Sequence, residues 1–182
     1  MAVWVSMLRG INLGKRRVKM EELRALYESL GFTKVETYVQ SGNVVFRAAR
    51  AGTKMAATIE EAIEKRFGFQ AASVLRTGAE LRATIAANPF AAREGIDGAK
   101  LLVWFLAADP GEEARRKARA IAAAAPEEVV LAERELYIYF PNGMARPKLS
   151  MTAMERAIRV QGTGRNWNTV RKLAEMAEAQ SR

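Results

Sequence analysis

Arg9-Gly10-Ile11-Asn12-Leu13-Gly14-Lys15-Arg16-Arg17-Val18-Lys19-Met20 separates an apolar run, Ala2 to Leu8, from an amphipathic one, Met20 to Leu30. The first run is apolar at nearly every position, with Ser6 the exception, the pattern of a strand covered on both faces. The second places Met20, Leu23, Leu26, Tyr27 and Leu30 on one face at helical spacing. Glu21 and Glu22 suit the positive end of its dipole, and Gly31 is placed to end it. Between the two lie two glycines, one asparagine, five basic residues and no acid. A glycine loop between strand and helix can turn backbone N–H groups toward an anion, and clustered Lys and Arg supply the matching charge.

Downstream, Val35 to Gln40 and Asn43 to Arg47 are rich in β-branched and aromatic residues, and Ser41-Gly42 between them reads as a two-residue hairpin turn. Thr53 to Phe67 reads as a helix with Met55, Ile59, Ala62 and Ile63 inward, ended by Gly68. Phe69 to Leu75 reads as a further strand. The order β-α-β-β-α-β is the split βαβ arrangement of ferredoxin-like domains. Thr77-Gly78-Ala79-Glu80 is a capping-box pattern opening a short helix that Asn88-Pro89 closes.

The order then recurs. Lys100 to Ala107 is apolar, and Asp109-Pro110-Gly111-Glu112 gives an N-cap with proline in the first turn of a helix that Pro126 stops. Glu128 to Leu131 and Glu135 to Phe140 read as strands. Leu149 to Val160 and Asn168 to Ala179 read as helices, with Asn168 the cap of the last. The expected fold is α+β: two ferredoxin-like (α-β plait) halves in tandem, at 1–76 and 100–182, with a linking helix and loop at 77–99 and an extra C-terminal helix. A plait has helices on one face only, so the other face needs a cover: the sister half, the extra helix or a second subunit.

The 182 residues are 49% hydrophobic and 27% charged, a globular balance. No apolar run approaches the ~20 residues of a membrane helix, and the N-terminus lacks signal-peptide features. With no cysteine there is no thiol chemistry, and with no histidine the usual neutral-pH base and commonest zinc ligand are missing. These features point to the cytoplasm, away from the membrane, and call for neither metal nor cofactor. Catalysis, if any, falls to Lys, Asp, Glu, Tyr or a metal held by oxygens.

The net charge of +9 is uneven. Residues 1–76 carry 13 basic and 7 acidic groups, residues 77–141 carry 8 and 10, and residues 142–182 carry 8 and 3. Positive charge gathers at both ends. In the split βαβ topology, the end of the first strand and the start of the third share one rim, which brings Arg9, Gly10 and Asn12 beside Gln40, Ser41 and Asn43, with Gly14, Lys15 and Lys19 following. Convergent polar groups on a glycine loop are how small-ligand sites are made. The plain alternative is that the asparagines satisfy turn backbone. A second basic cluster holds Arg146-Pro147-Lys148 and Arg165-Asn166-Trp167-Asn168, where Trp167 either stacks on a ring or seals the core.

Familiar nucleotide motifs are absent. Gly10-x-x-x-Gly14-Lys15 is one residue short of a P-loop and has Arg16 where a magnesium-binding hydroxyl belongs, and the glycines do not form G-x-G-x-x-G. Asn43-Val44-Val45-Phe46-Arg47 has one aromatic and no basic-glycine start, which argues against RNA stacking on the sheet but leaves backbone binding through loops.

Four stretches resemble the bacterial family grouped as domain of unknown function 1697: Leu8-Arg9-Gly10-Ile11-Asn12-Leu13-Gly14 with Met20; Tyr38-Val39-Gln40-Ser41-Gly42-Asn43-Val44-Val45-Phe46; Asn88-Pro89-Phe90; and Arg165-Asn166-Trp167-Asn168-Thr169-Val170 with Lys172-Leu173. The resemblance spans nearly the full chain and implies two linked α-β plaits. It implies no activity. Two departures stand out: Lys15 replaces a glycine usual in the family, and Pro147 replaces a serine.

The expected function is binding of a phosphate-bearing or other anionic ligand, nucleic-acid backbone or nucleotide, through Arg9, Gly10, Asn12, Gly14, Lys15, Lys19, Gln40, Ser41, Asn43, Lys148, Arg165, Asn166 and Trp167. Two alternatives stand beside it: an enzyme acting on a small phosphorylated or carboxylated substrate, held by Arg9, Asn12 and Lys148, and an assembly or adaptor protein, which predicts a large exposed apolar surface.

Overall fold

The computed structural model describes residues 1–49 and 54–182. Among these, six α-helices and two four-stranded antiparallel sheets form a mixed α+β structure that divides into two compact units, residues 1–83 with 172–182 and residues 84–171.

The first unit contains β1 (Ala2–Leu8), α1 (Met20–Ser29), β2 (Thr33–Tyr38), β3 (Asn43–Ala48), α2 (Met55–Phe67) and β4 (Ser73–Thr77). The start of the α2 reading at Thr53 lies outside the described residues. The sheet order is β2-β3-β1-β4, so β1 is central, with Val5 opposite Val45 on one side and Arg76 on the other. That position explains its apolar sequence. Leu8 faces a core shared with Leu23 and Tyr27 of α1, Phe46 of β3, and Ile59 and Ile63 of α2. Val5 and Met7, buried as well, point to the opposite face by strand alternation. Ser6 lies on the helix side because its hydroxyl bonds to those of Tyr27 (2.7 Å) and Ser73 (2.9 Å). Full burial raises the Tyr27 pKa well above the ordinary phenol range.

The second unit contains β5 (Leu101–Leu106), α4 (Glu112–Ala122), β6 (Glu128–Leu131), β7 (Glu135–Tyr139), α5 (Met151–Ile158) and β8 (Gly162–Asn166), in sheet order β6-β7-β5-β8. Leu106, Leu136 and Ile138 pack with Ala118 of α4 and Met154 and Ile158 of α5. Tyr137 donates to the carbonyl of Thr84 (2.7 Å), and its burial, with Glu135 adding, pushes its pKa up to about 12. Two further helices are α3 (Gly78–Ala86) and α6 (Trp167–Ser181). The last turn of α6 belongs to the first unit, where Gln180 donates to Lys34 O and Glu36 Oε1 of β2. The extra helix is thus tied to the first sheet.

Several local readings need correction. The hairpin has a four-residue loop, Val39 to Gly42, because Tyr38 and Asn43 form the last ladder pair and the Asn43 amide closes the loop onto Tyr38 O (3.0 Å) and Ser41 Oγ (3.0 Å). The strand expected from Phe69 starts at Ser73, since Phe69 is apolar to pack on the core. Asp109 does not cap α4, whose N-cap is Gly111; its carboxylate accepts from Gly111 N (2.8 Å) and pairs with Arg115 (2.5 Å). α6 is capped by Asn166, whose Oδ1 accepts from Thr169 N (2.9 Å), and not by Asn168. The sequence pattern does not announce β8. Gly162-Thr163-Gly164 reads as loop, yet both glycines serve close packing: a Cβ at Gly162 would collide with the Trp104 indole, and one at Gly164 would press on Leu102 at 3.1 Å.

Candidate functional site

Three left-handed residues fold the β1–α1 loop tightly: Gly10 (φ 75°), Asn12 (φ 54°) and Gly14 (φ 56°). An asparagine tolerates this conformation because its short side chain bonds locally. Here the Asn12 side chain accepts from Val18 N (2.8 Å) and donates to Gln40 O (2.8 Å), so it closes its own loop and ties that loop to the β2–β3 loop. Below the link, Ile11 is buried against Gly42. A Cβ at Gly42 would sit 2.5 Å from Ile11 Cδ1, and φ there is 81°. Leu8 N donates to Gly42 O (2.8 Å) at the same place. Gly10, Asn12, Gln40, Ser41 and Asn43 are therefore together at one rim of the first sheet.

The side chains divide by role. Asn12 and Asn43 are spent on loop backbone, and Asn43 is fully buried. Arg9 is half-buried, with its N–H donating to Ala72 O (2.9 Å). Arg16 turns back over the loop, reaching Gly10 O (3.4 Å) and Gln70 O (3.3 Å) and lying 5.3 Å above the Phe69 ring. It is a pin that holds the loop rather than a free cation. Lys15, Arg17 and Lys19 are exposed and form no ion pair among the described residues, and Gln40 and Ser41 are exposed beside them. Lys19 is also the N-cap position of α1, and its side chain makes no capping bond. The loop thus offers three cations near an open helix start, with Glu21 and Glu22 in the first turn opposing them.

The second basic cluster lies in the other unit. Lys148 is exposed at its side chain, while Lys148 N and Leu149 N donate to the buried Glu127 carboxylate (2.8 and 2.9 Å). Arg165 is 7% exposed. It donates to Thr163 Oγ1 and Gly164 O, both at 2.9 Å, and burial pulls its pKa down to about 10. Asn166 is the α6 cap, and Trp167 is half-buried against Gly98. Lys148, exposed, thus stands beside the start of β6, whereas Arg165 is buried on β8 at the opposite edge of the sheet, so the structure does not bring the two together as one basic cluster. Sequence reasoning missed the Glu127 clamp, which left no periodic signal, and the prominence of Arg17, which only exposure reveals.

Among the described residues, no group of three acidic side chains is placed to hold a metal ion, and no helix is long and apolar enough to cross a membrane.

A family model described as "Protein of unknown function (DUF1697)" matches residues 1–137. The match takes in the first three marker stretches and ends before the one that begins at Arg165. The solved structure of a conserved bacterial protein from Streptococcus pneumoniae is similar, at 23% sequence identity and a TM-score of 0.69, covering 98% of this chain and 99% of that one. At this identity the likeness is one of fold. No curated protein matches the chain.

Proposed function

The chain belongs to the DUF1697 family of proteins of unknown function, and from its site we propose that it binds a phosphate-bearing ligand, nucleic-acid backbone or nucleotide, through the β1–α1 loop. The observation that carries this reading is the exposure of Lys15, Arg17 and Lys19, without an ion pair among the described residues, on a loop that Asn12 locks to its neighbour. Three cations on flexible backbone would lose entropy on gathering around a phosphate. On a braced loop much of that cost is met during folding. Arg9, Gly10, Gly14, Gln40 and Ser41 complete the surface, with Asn12 and Asn43 as its frame. On the other unit Lys148 offers one further exposed cation, while Arg165, Asn166 and Trp167 stand apart from it at the β8 edge, with Arg165 buried. The strand orders β2-β3-β1-β4 and β6-β7-β5-β8 support reading the halves, 1–76 and 100–182, as α-β plaits in tandem, with 77–99 as the link. A cytoplasmic location and soluble, basic character are part of the same proposal.

The test is fluorescence anisotropy with a labelled oligonucleotide duplex, competed by a nucleoside triphosphate. Binding that weakens at least tenfold in the K15A/R17A/K19A variant supports the site. No binding at low salt by either probe overturns the proposal.

A further inference from the structure

Among the described residues, four large apolar side chains stand exposed, and two of them, Leu13 (67%) and Val39 (48%), flank the bond that joins the two loops of the site. Leu13 follows Asn12, and Val39 precedes Gln40, whose carbonyl accepts from the Asn12 amide.

Both are displayed on fixed backbone. Leu13 opens a tight turn in which Arg16 N donates to Leu13 O (3.0 Å), with Gly14 left-handed (φ 56°) inside it. Asn12 anchors one end of that turn through Val18 N and Gln40 O, and the Arg16 guanidinium anchors the other through Gly10 O and Gln70 O. Val39 is itself left-handed, at a φ of 50°. A β-branched residue is strained there in a way that asparagine or glycine escapes. Burial does not offset that strain, since the residue is exposed. Strained backbone of this kind gathers at functional surfaces.

The surroundings define what can cover the two side chains. Lys15, Arg17 and Lys19 are exposed in the same loop, residues 9–19 contain no acid, and Glu22 is turned to Arg66 (3.3 Å). A second copy of this face would bring like charges together, so the cover is polyanionic and also apolar close to its charges. Nucleic acid meets both conditions, because base faces lie one sugar away from the phosphates. Leu13 and Val39 lack the π-face on which single strands stack. Leucine is, however, among the side chains that wedge between the base steps of a duplex. An anionic bilayer meets the charge condition, but one myristoyl chain alone anchors only marginally, and Leu13 with Val39 has fewer side-chain carbons than that chain.

Resting on the reading of the β1–α1 loop as a phosphate-binding surface, we propose that its ligand is duplex nucleic acid and that Leu13 enters between adjacent base pairs. Val39 packs beside the opened step, while Lys15, Arg17 and Lys19 hold the flanking phosphates. Entry favours pyrimidine–purine steps such as TA and CA, which unstack readily.

The test uses the full chain and DNA duplexes carrying 2-aminopurine at a central TA step, with unstacking read by emission and binding by anisotropy. The parent should raise emission roughly twofold at saturation. L13A should keep the parent's Tm, bind roughly fivefold more weakly, leave emission flat and retain the salt dependence that phosphate contacts set. L13M should keep the rise, since methionine also wedges. V39N, which suits the left-handed backbone, should raise Tm while weakening duplex binding roughly threefold. Cation-dependent binding with flat emission, or either L13A or V39N binding as tightly as the parent, overturns the inference and leaves the phosphate reading standing. Absence of duplex binding at low salt overturns both. Tighter, Leu13-dependent binding to phosphatidylserine–phosphatidylcholine vesicles than to duplex assigns the apolar pair to a membrane surface and overturns it as well.

Discussion

Replacing Asn12 tests whether one side chain holds the two loops of the candidate site together. Asn12→Ala removes the acceptor for Val18 N and the donor for Gln40 O. Val18 is 5% exposed, so its N–H finds no ready water, and leaving such a donor unsatisfied costs about 1–3 kcal/mol. Gln40 is exposed, and its carbonyl can be rehydrated at little cost. Alanine at a φ of 54° adds about 1–2 kcal/mol of steric strain that asparagine largely escapes. Together these give about 2–5 kcal/mol, a fall in Tm on the order of 10 °C for a chain of this length. Two companion variants separate the terms. Asn12→Gly relieves the strain but not the lost bonds, so it should fall between alanine and the unaltered chain. Asn12→Asp keeps the acceptor for Val18 N and should cost under about 1 kcal/mol, because the lost donor faced an exposed carbonyl. Thermal and urea denaturation of the three variants provide the reading. An alanine variant as stable as the parent, or an aspartate variant as damaged as the alanine one, would refute the assignment of Asn12 as the brace.

Other expectations follow from single contacts. Gly42→Ala meets Ile11 Cδ1 at 2.5 Å under a φ of 81° and should lose about 2–4 kcal/mol by urea titration, with Ile11 amide exchange accelerated. Gly162→Ala collides with the Trp104 indole and should cost about 1–3 kcal/mol, with loss of exchange protection along β8. Glu127→Ala strands the N–H groups of Lys148 and Leu149, and should raise hydrogen exchange at Leu149 by at least tenfold. Tyr137 has its pKa raised from 10.0 to about 12, so the neutral phenol favours the folded chain below pH 10, and that contribution fades as pH climbs to about 12. Tyr137→Phe should therefore show a shallower loss of stability across that window than the parent.

The parts of this fold that could be read from sequence are those where burial leaves a periodic trace. β1 is apolar because it is central and covered on both faces, and α1 shows its inward stripe through Leu23 and Tyr27. The rim where Asn12 meets the Gln40–Asn43 loop followed from strand order alone. What escaped was set by contacts distant in sequence. β8 is built on glycines because Trp104 and Leu102 crowd it, and no local pattern announces that. The identity of the α6 cap turned on a shift of two residues between Asn166 and Asn168, both equally able to cap. Arg16 and Arg17 are neighbours of identical chemistry, yet one is folded onto Phe69 and the other is free in solvent. Arg165, expected at a basic surface, alternates inward along β8 and is buried.

The most direct measurement of the central claim is the salt dependence of duplex binding. If Lys15, Arg17 and Lys19 each neutralise one phosphate, log K should fall against log salt with a slope of about −2.7, roughly a 40-fold loss between 50 and 200 mM. In the K15A/R17A/K19A variant the slope should collapse toward zero along with the affinity. A slope equally steep in that variant would place the phosphate contacts elsewhere on the protein and contradict the account.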